Sequence, residues 1–314
     1  MKPEQLVRFD SRTGGGAMTT FDSSAATDKT IRLRDGRSLG YADCGDPEGK
    51  PVFFFHGWPG SRLQAKLVDE EAARAGIRVI GLDRPGMGLS DFKPGRQILD
   101  WPDDVAALAD ALGIKRFAVQ GISGGGPYAA ACAYKIPDRL TACGIIASMG
   151  SIGLSMEGMK TINRVIFFVA RRLPWLLRLV LWLSMGRHSQ DKEKVERLIS
   201  KMMWELPEPD REVMDKPELK RFFIEDICEA FRQGTKGPAY EGRLYAQPWG
   251  FRLEDIAIDK VYLWHGELDV NVPVSMGRAM AEAIPNCQAR FYPNDAHFSI
   301  VSNHSEEIMT TLLS

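Results

Sequence analysis

A chain of 314 residues, 44% hydrophobic and 26% charged, can bury a large core and has the make-up of an ordinary folded protein, neither fibrous nor of low complexity. Lysine and arginine number 40 against 41 aspartate and glutamate, so no overall charge attracts the chain to nucleic acid or to an anionic surface. The five cysteines (Cys44, Cys132, Cys143, Cys228, Cys287) are odd in number and lack Cys-x-x-Cys spacing, which argues for buried free thiols in a reducing compartment and against disulfides or zinc.

Residues 1–27 have scattered charges and a glycine run but no apolar stretch of signal-peptide length. A disordered N-terminal tail and cytoplasmic residence are expected, with Met18 as an alternative start. Thr30 to Leu33 and Ser38 to Asp43 alternate apolar and polar around Asp35-Gly36, an antiparallel hairpin signal. The unbroken apolar run from Pro51 to Phe55 predicts a strand buried on both faces of a parallel sheet, entering the turn His56-Gly57-Trp58-Pro59-Gly60. A helix is predicted over Leu63 to Ala75, a buried strand over Ile77 to Leu82, a loop over Asp83 to Ser90, and an amphipathic helix over Asp100 to Gly113.

Phe117 to Cys132 reads as a strand, a sharp turn and a helix of small residues. Glycines two positions either side of Ser123, in Gly121-Ile122-Ser123-Gly124-Gly125, give the strained strand-to-helix turn that holds a nucleophile above a sheet. Pro127 falls in the first helical turn, where a missing N–H costs nothing. A further strand is predicted over Leu140 to Ser148. The alternation of strands and helices implies a parallel sheet with helices on both faces.

That alternation stops near Gly150, and residues 151–250 are expected to form a helical cap inserted into a core made of residues 28–150 and 251–314. Lys160 to Leu183 is apolar, yet Arg164, Arg171, Arg172, Arg178 and the central Pro174 make it two amphipathic helices and not a membrane anchor. Helices are predicted over Asp191 to Leu206 and Pro217 to Gln233, with charged faces. Beyond the insertion come a strand over Lys260 to His265, a helix over Val274 to Ile284, a strand over Gln288 to Tyr292 and a last helix from about Glu306.

A serine hydroxyl needs a base to take its proton and an acid to orient that base, which in α/β proteins follow in the order serine, acid, histidine. Asp269, after the strand ending at His265, is the expected acid, with Glu267 as its competitor. His297, in the loop after the last strand, is the expected base. The developing oxyanion needs donors already aimed at it, and the N–H groups of Gly124 and Trp58 are the candidates. His56 is expected to brace its loop. Glu225, Asp226, Glu229 and Glu241 are acidic insertion residues able to bind a substrate amine.

These ordered motifs, His56-Gly57-Trp58-Pro59, Gly121-Ile122-Ser123-Gly124-Gly125, Asp269 and His297, together with Asp83-Arg84-Pro85-Gly86-Met87-Gly88-Leu89-Ser90, resemble the α/β-hydrolase family from about residue 30 onward. The resemblance implies a mostly parallel eight-stranded sheet with a helical cap over the site. The His-Gly-Trp-Pro-Gly turn is similar to that of the epoxide hydrolase branch, which carries an aspartate where this chain has Ser123, so the resemblance implies a carboxylesterase-like serine hydrolase. The expected partner is a small-molecule ester, with no cofactor, metal, nucleic acid or stable membrane anchor. An aminopeptidase, a hydrolase of carbon–carbon bonds and a non-catalytic ligand sensor of the same fold stand as alternatives.

Overall fold

The computed structural model describes residues 27–151, 154 and 157–314. In chain order the strands are β1 (Lys29–Arg32), β2 (Ser38–Gly45), β3 (Lys50–Phe55), β4 (Ile77–Leu82), β5 (Phe117–Ile122), β6 (Leu140–Ile146), β7 (Val261–Gly266) and β8 (Cys287–Tyr292). They form one sheet in the order β1-β2-β4-β3-β5-β6-β7-β8, parallel from β4 to β8, with β2 antiparallel to both β1 and β4. β3 is interior, which is why its apolar run is unbroken: Phe53 and Phe55 enter one core layer, Val52 and Phe54 the other. The expected disordered tail lies outside the described residues except for Thr27, which is buried, its carbonyl accepting from Arg62 Nε at 2.5 Å.

The α-helices are α1 (Asp69–Arg74), α2 (Trp101–Ala111), α3 (Gly126–Lys135), α4 (Thr161–Arg172), α5 (Pro174–Ser184), α6 (Lys192–Met203), α7 (Glu208–Met214), α8 (Pro217–Ala230), α9 (Lys236–Tyr245), α10 (Val274–Ala283) and α11 (Ser299–Leu312). α2, α3 and α10 cover one face of the sheet, and α1 and α11 cover the other. α2 ends as its sequence predicts, with Gly113 at φ +71 and Ile114 N–H donating to the Ala109 carbonyl at 2.8 Å.

The structure departs from the sequence reading in three places. The helix expected over Leu63 to Ala75 is a 3-10 turn, Arg62–Val68, followed by α1, because Val68 leaves helical angles at φ −117, ψ 11. The last helix begins at Ser299, not near Glu306, and His304 stands at a kink within it. Between β6 and β7, α7 and α9 join the four helices expected there. Among the described residues no helix is long and apolar enough to cross a membrane, and the apolar stretch from Lys160 divides into α4 and α5 at Leu173-Pro174.

Candidate active site

The strand order reverses between β3 and β5. A crevice therefore opens beyond their C-terminal ends, between Ser123, which follows β5, and the His56-Gly57-Trp58-Pro59 turn, which follows β3. Ser123 has φ +53, a left-handed conformation costly for a residue with a Cβ, so the surrounding turn must hold it there. Bare backbone makes that possible: a Cβ on Gly121 would stand 2.3 Å from the Gly125 carbonyl oxygen, and one on Gly125 would stand 2.1 Å from that of Phe55. A Cβ on Gly124 would lie 2.7 Å from Trp58 Cβ and 3.2 Å from Trp58 N, so the segments carrying the two expected oxyanion donors are in contact beside Ser123.

His297 and Asp269, 28 residues apart, meet through a 2.7 Å hydrogen bond between His297 Nδ1 and Asp269 Oδ2. Asp269 Oδ1 accepts from the N–H groups of Asn271 and Val272, each at 2.8 Å. Burial alone would raise the Asp269 carboxyl, but the adjacent His297 and His265 outweigh it and hold the group well below the usual carboxylate range. An ionised Asp269 can only accept, so Nδ1 of His297 carries the proton and Nε2 is the basic nitrogen. Burial pulls His297 down, yet the Asp269 charge and hydrogen bond, with Asp210 adding to them, leave its pKa raised. His265 Nε2 lies 2.9 Å from the Val272 carbonyl and 3.5 Å from Asp269 Oδ2, packing beneath the acid. The competitor Glu267 pairs with Arg278 near the surface.

Asp210, on α7, was not among the expected site residues. It is wholly buried and accepts three backbone N–H groups: His297 at 3.1 Å through Oδ2, Phe298 at 2.8 Å and Ser299 at 2.9 Å through Oδ1. This carboxylate caps α11 at its first turn, supplying the acceptor that the helix's own N-cap residue, Phe298, has no side chain to provide. A residue of the inserted helices thus holds the backbone of the histidine loop.

The turn after β3 is braced in the same way from a distance. Arg84 donates to the carbonyls of His56 at 2.5 Å and Gly57 at 2.9 Å, and pairs with Glu241 of α9 at 2.6 Å; both side chains are fully buried. Gln64 accepts from Gly57 N–H at 2.9 Å and donates to Asp226 of α8 at 2.7 Å. Burial pushes the Asp226 carboxyl up to about 7, against the hydrogen bonds from Ser61 and Gln64 that pull it down. His56 lies with Nδ1 2.7 Å from the Gly57 carbonyl and Nε2 accepting from Arg84 N–H at 3.3 Å, and burial followed by the Arg84 charge holds its pKa far below the ordinary value. Neutral and committed at both nitrogens, it braces its loop as expected. Tyr245 of α9 donates to the Gly124 carbonyl at 2.8 Å. Since breaking a buried ion pair costs about 3–5 kcal/mol, α9 and the turn are firmly tied.

Ser123, His297, Trp58 and Gln64 line a cavity of about 1170 Å³, whose walls include Met149, Met159, Phe167, Phe223, Ile227 and Met276. The acidic residues expected to offer a charge to a substrate amine are otherwise engaged. Glu225 pairs with Lys192 at 3.1 Å, Glu229 with Arg62 at 2.6 Å and Glu241 with Arg84, while Asp226 holds Ser61 and Gln64. All five cysteines are free thiols, three of them buried.

Comparison with known proteins follows the same lines. A family model described as the α/β hydrolase fold matches residues 50–303. A non-heme chloroperoxidase of Streptomyces lividans is 35% identical over 125 residues, 38% of this chain and 44% of the relative, so the match spans less than half the relative's length. A 2-hydroxy-6-oxononadienedioate/2-hydroxy-6-oxononatrienedioate hydrolase of Paraburkholderia phymatum is 24% identical over 316 residues, covering 94% of this chain and 97% of that one. Among solved structures, an esterase from Exiguobacterium antarcticum has a TM-score of 0.66 at 16% identity, covering 91% of this chain and 100% of that chain, a likeness of fold.

Proposed function

This chain belongs to the α/β-hydrolase family, and on that premise we propose that it is a serine hydrolase that cleaves small carboxylic esters through an acyl-enzyme on Ser123. The observation that carries the reading is the 2.7 Å Asp269–His297 hydrogen bond at a cavity shared with a serine held at φ +53. Ser123 Oγ attacks the ester carbonyl as His297 Nε2 takes its proton. The N–H groups of Gly124 and Trp58 receive the oxyanion. His297 then protonates the departing alcohol, activates a water against the acyl-enzyme and returns the proton to Ser123, while Asp269 keeps Nδ1 protonated throughout. Residues 151–250 act as a cap whose apolar side chains receive the acyl or alkyl groups, and the free thiols fit cytoplasmic residence.

A second reading, hydrolysis of carbon–carbon bonds in dienones, draws on the full-length similarity to the nonadienedioate hydrolase. Aminopeptidase activity is disfavoured by the engagement of Glu225, Asp226, Glu229 and Glu241. Turnover of a panel of short acyl esters, amino-acid arylamides and a meta-cleavage dienone tests the proposal. Ester turnover is the expected result, and a chain active on the dienone alone would replace it with the second reading.

The pH profile reports the base. His297 accepts a proton only when neutral, and its pKa is raised above the ordinary imidazole value of about 6.5, so the acylation rate should rise with pH through one titration centred above that value. Acylation-limited kcat/KM measured across pH gives the midpoint. A profile flat from about pH 5 to 9 would exclude His297 as the base.

Asp210 should act by positioning. Asp210→Ala leaves three N–H groups at the histidine loop without their acceptor, and the resulting displacement of His297 should lower kcat roughly ten- to a hundredfold while KM changes little. Asp210→Asn, which keeps one acceptor oxygen, should recover part of the loss. Equal kcat for the wild type and Asp210→Ala would remove Asp210 from the site.

A further inference from the structure

The inserted helices carry a surface that the ester chemistry does not use. Among the described residues, thirteen large hydrophobic side chains are exposed, and nine of them lie between Ile162 and Leu183; Phe168 is 63% and Trp175 64% exposed. Apolar exposure concentrated on two neighbouring helices differs from the single exposed side chains usual on a protein surface. The same stretch is strongly basic: from Lys160 to His188 there are six lysines and arginines and no aspartate or glutamate, in a chain whose formal net charge is −1. Arg171, Arg172, Arg178 and Arg187 are exposed and form no ion pair among the described residues.

We propose that α4 and α5 form a reversible docking surface for an anionic lipid bilayer, lying in the interface with Phe168, Trp175 and Trp182 inserted and the arginines at headgroup level. Two short helices, each with exposed aromatic and aliphatic side chains set among cations, have the composition of an interfacial element. Neither is long enough to span the hydrocarbon, so the attachment is peripheral. Charge selects the occupant. A second copy docked through the same face would bring two sets of arginines together, whereas phosphate headgroups neutralise them. The placement also suits the cavity behind it, since Ile166 and Phe167, on the same helix as Phe168, line the space above Ser123.

The test uses the full chain and does not depend on the chemistry at Ser123. Sedimentation with vesicles of phosphatidylcholine alone, and of phosphatidylcholine with phosphatidylglycerol, is combined with tryptophan emission. Binding to the anionic vesicles, with a blue shift and loss at high salt, is expected, with little binding to the neutral ones. Arg171→Glu with Arg178→Glu should weaken partitioning at least tenfold, and Trp175→Ser with Trp182→Ser should abolish the blue shift. Both pairs are exposed, and unchanged thermal melts would show that the fold survives. Absence of binding to anionic vesicles at low salt overturns the proposal, as does equal binding to both vesicle types. A vesicle-independent dimer that the tryptophan substitutions dissolve would show that the face is an interface between copies of this chain, and would likewise overturn it.

Discussion

Ser123→Ala should reduce ester turnover by more than about a thousandfold while leaving the fold unchanged. The substitution deletes one oxygen at the edge of the cavity and asks nothing new of the backbone. Alanine meets the same left-handed strain at φ +53 that serine already bears, and the close approaches that shape the turn involve Gly121, Gly124 and Gly125. The check is kcat/KM beside a thermal melt, together with mass analysis after treatment with an organophosphonate that acylation-type nucleophiles capture. Wild type should carry the adduct on the peptide containing Ser123, and the variant should carry none. Residual activity above about a thousandth of wild type, with an unchanged melt, would place the nucleophile elsewhere.

Most of the core was legible because its signals are local. The run from Val52 to Phe55 is apolar because β3 is interior, and the glycine spacing around Ser123 is dictated by carbonyl oxygens that leave no room for a Cβ. What was missed depends on partners far away in the chain. Asp210 falls between two predicted helices and looks like one more charge, until α7 brings it to the His297 loop 87 residues later. Glu241 reads as an acid able to bind a substrate amine, although α9 delivers it fully buried to Arg84, 157 residues earlier. Asp226 reaches Ser61 and Gln64 in the same way. The start of α11 is hidden for the same reason, since its first N–H groups are capped from another helix while the Ser299 hydroxyl accepts from Ala296 N–H instead. Long-range bracing leaves no periodicity in either segment, so sequence spacing cannot find it.

Asp269→Asn should cost on the order of 10⁴-fold in kcat, and Glu267→Gln should cost little. Both substitutions exchange one oxygen for an amide, so the difference in outcome isolates position from chemistry. At Asp269 the side chain is fully enclosed: Oδ1 takes the Asn271 and Val272 amides and Oδ2 takes Nδ1–H of His297. An asparagine that keeps its oxygen on the two backbone donors must present its NH₂ to His297. The imidazole then turns Nδ1 into an acceptor and carries its proton on Nε2, where the base should be empty. Glu267 by contrast touches Arg278 at the surface, an exposed pair with small effect on either stability or the site. A second readout separates loss of orientation from general damage. The Asp269 charge is the main influence raising the His297 pKa against burial, so the residual activity of Asp269→Asn should titrate at lower pH than wild type. If Glu267→Gln proved the more damaging of the two, or if the midpoint of Asp269→Asn moved upward, the acid would not be Asp269 and the orientation of His297 would have to come from another group.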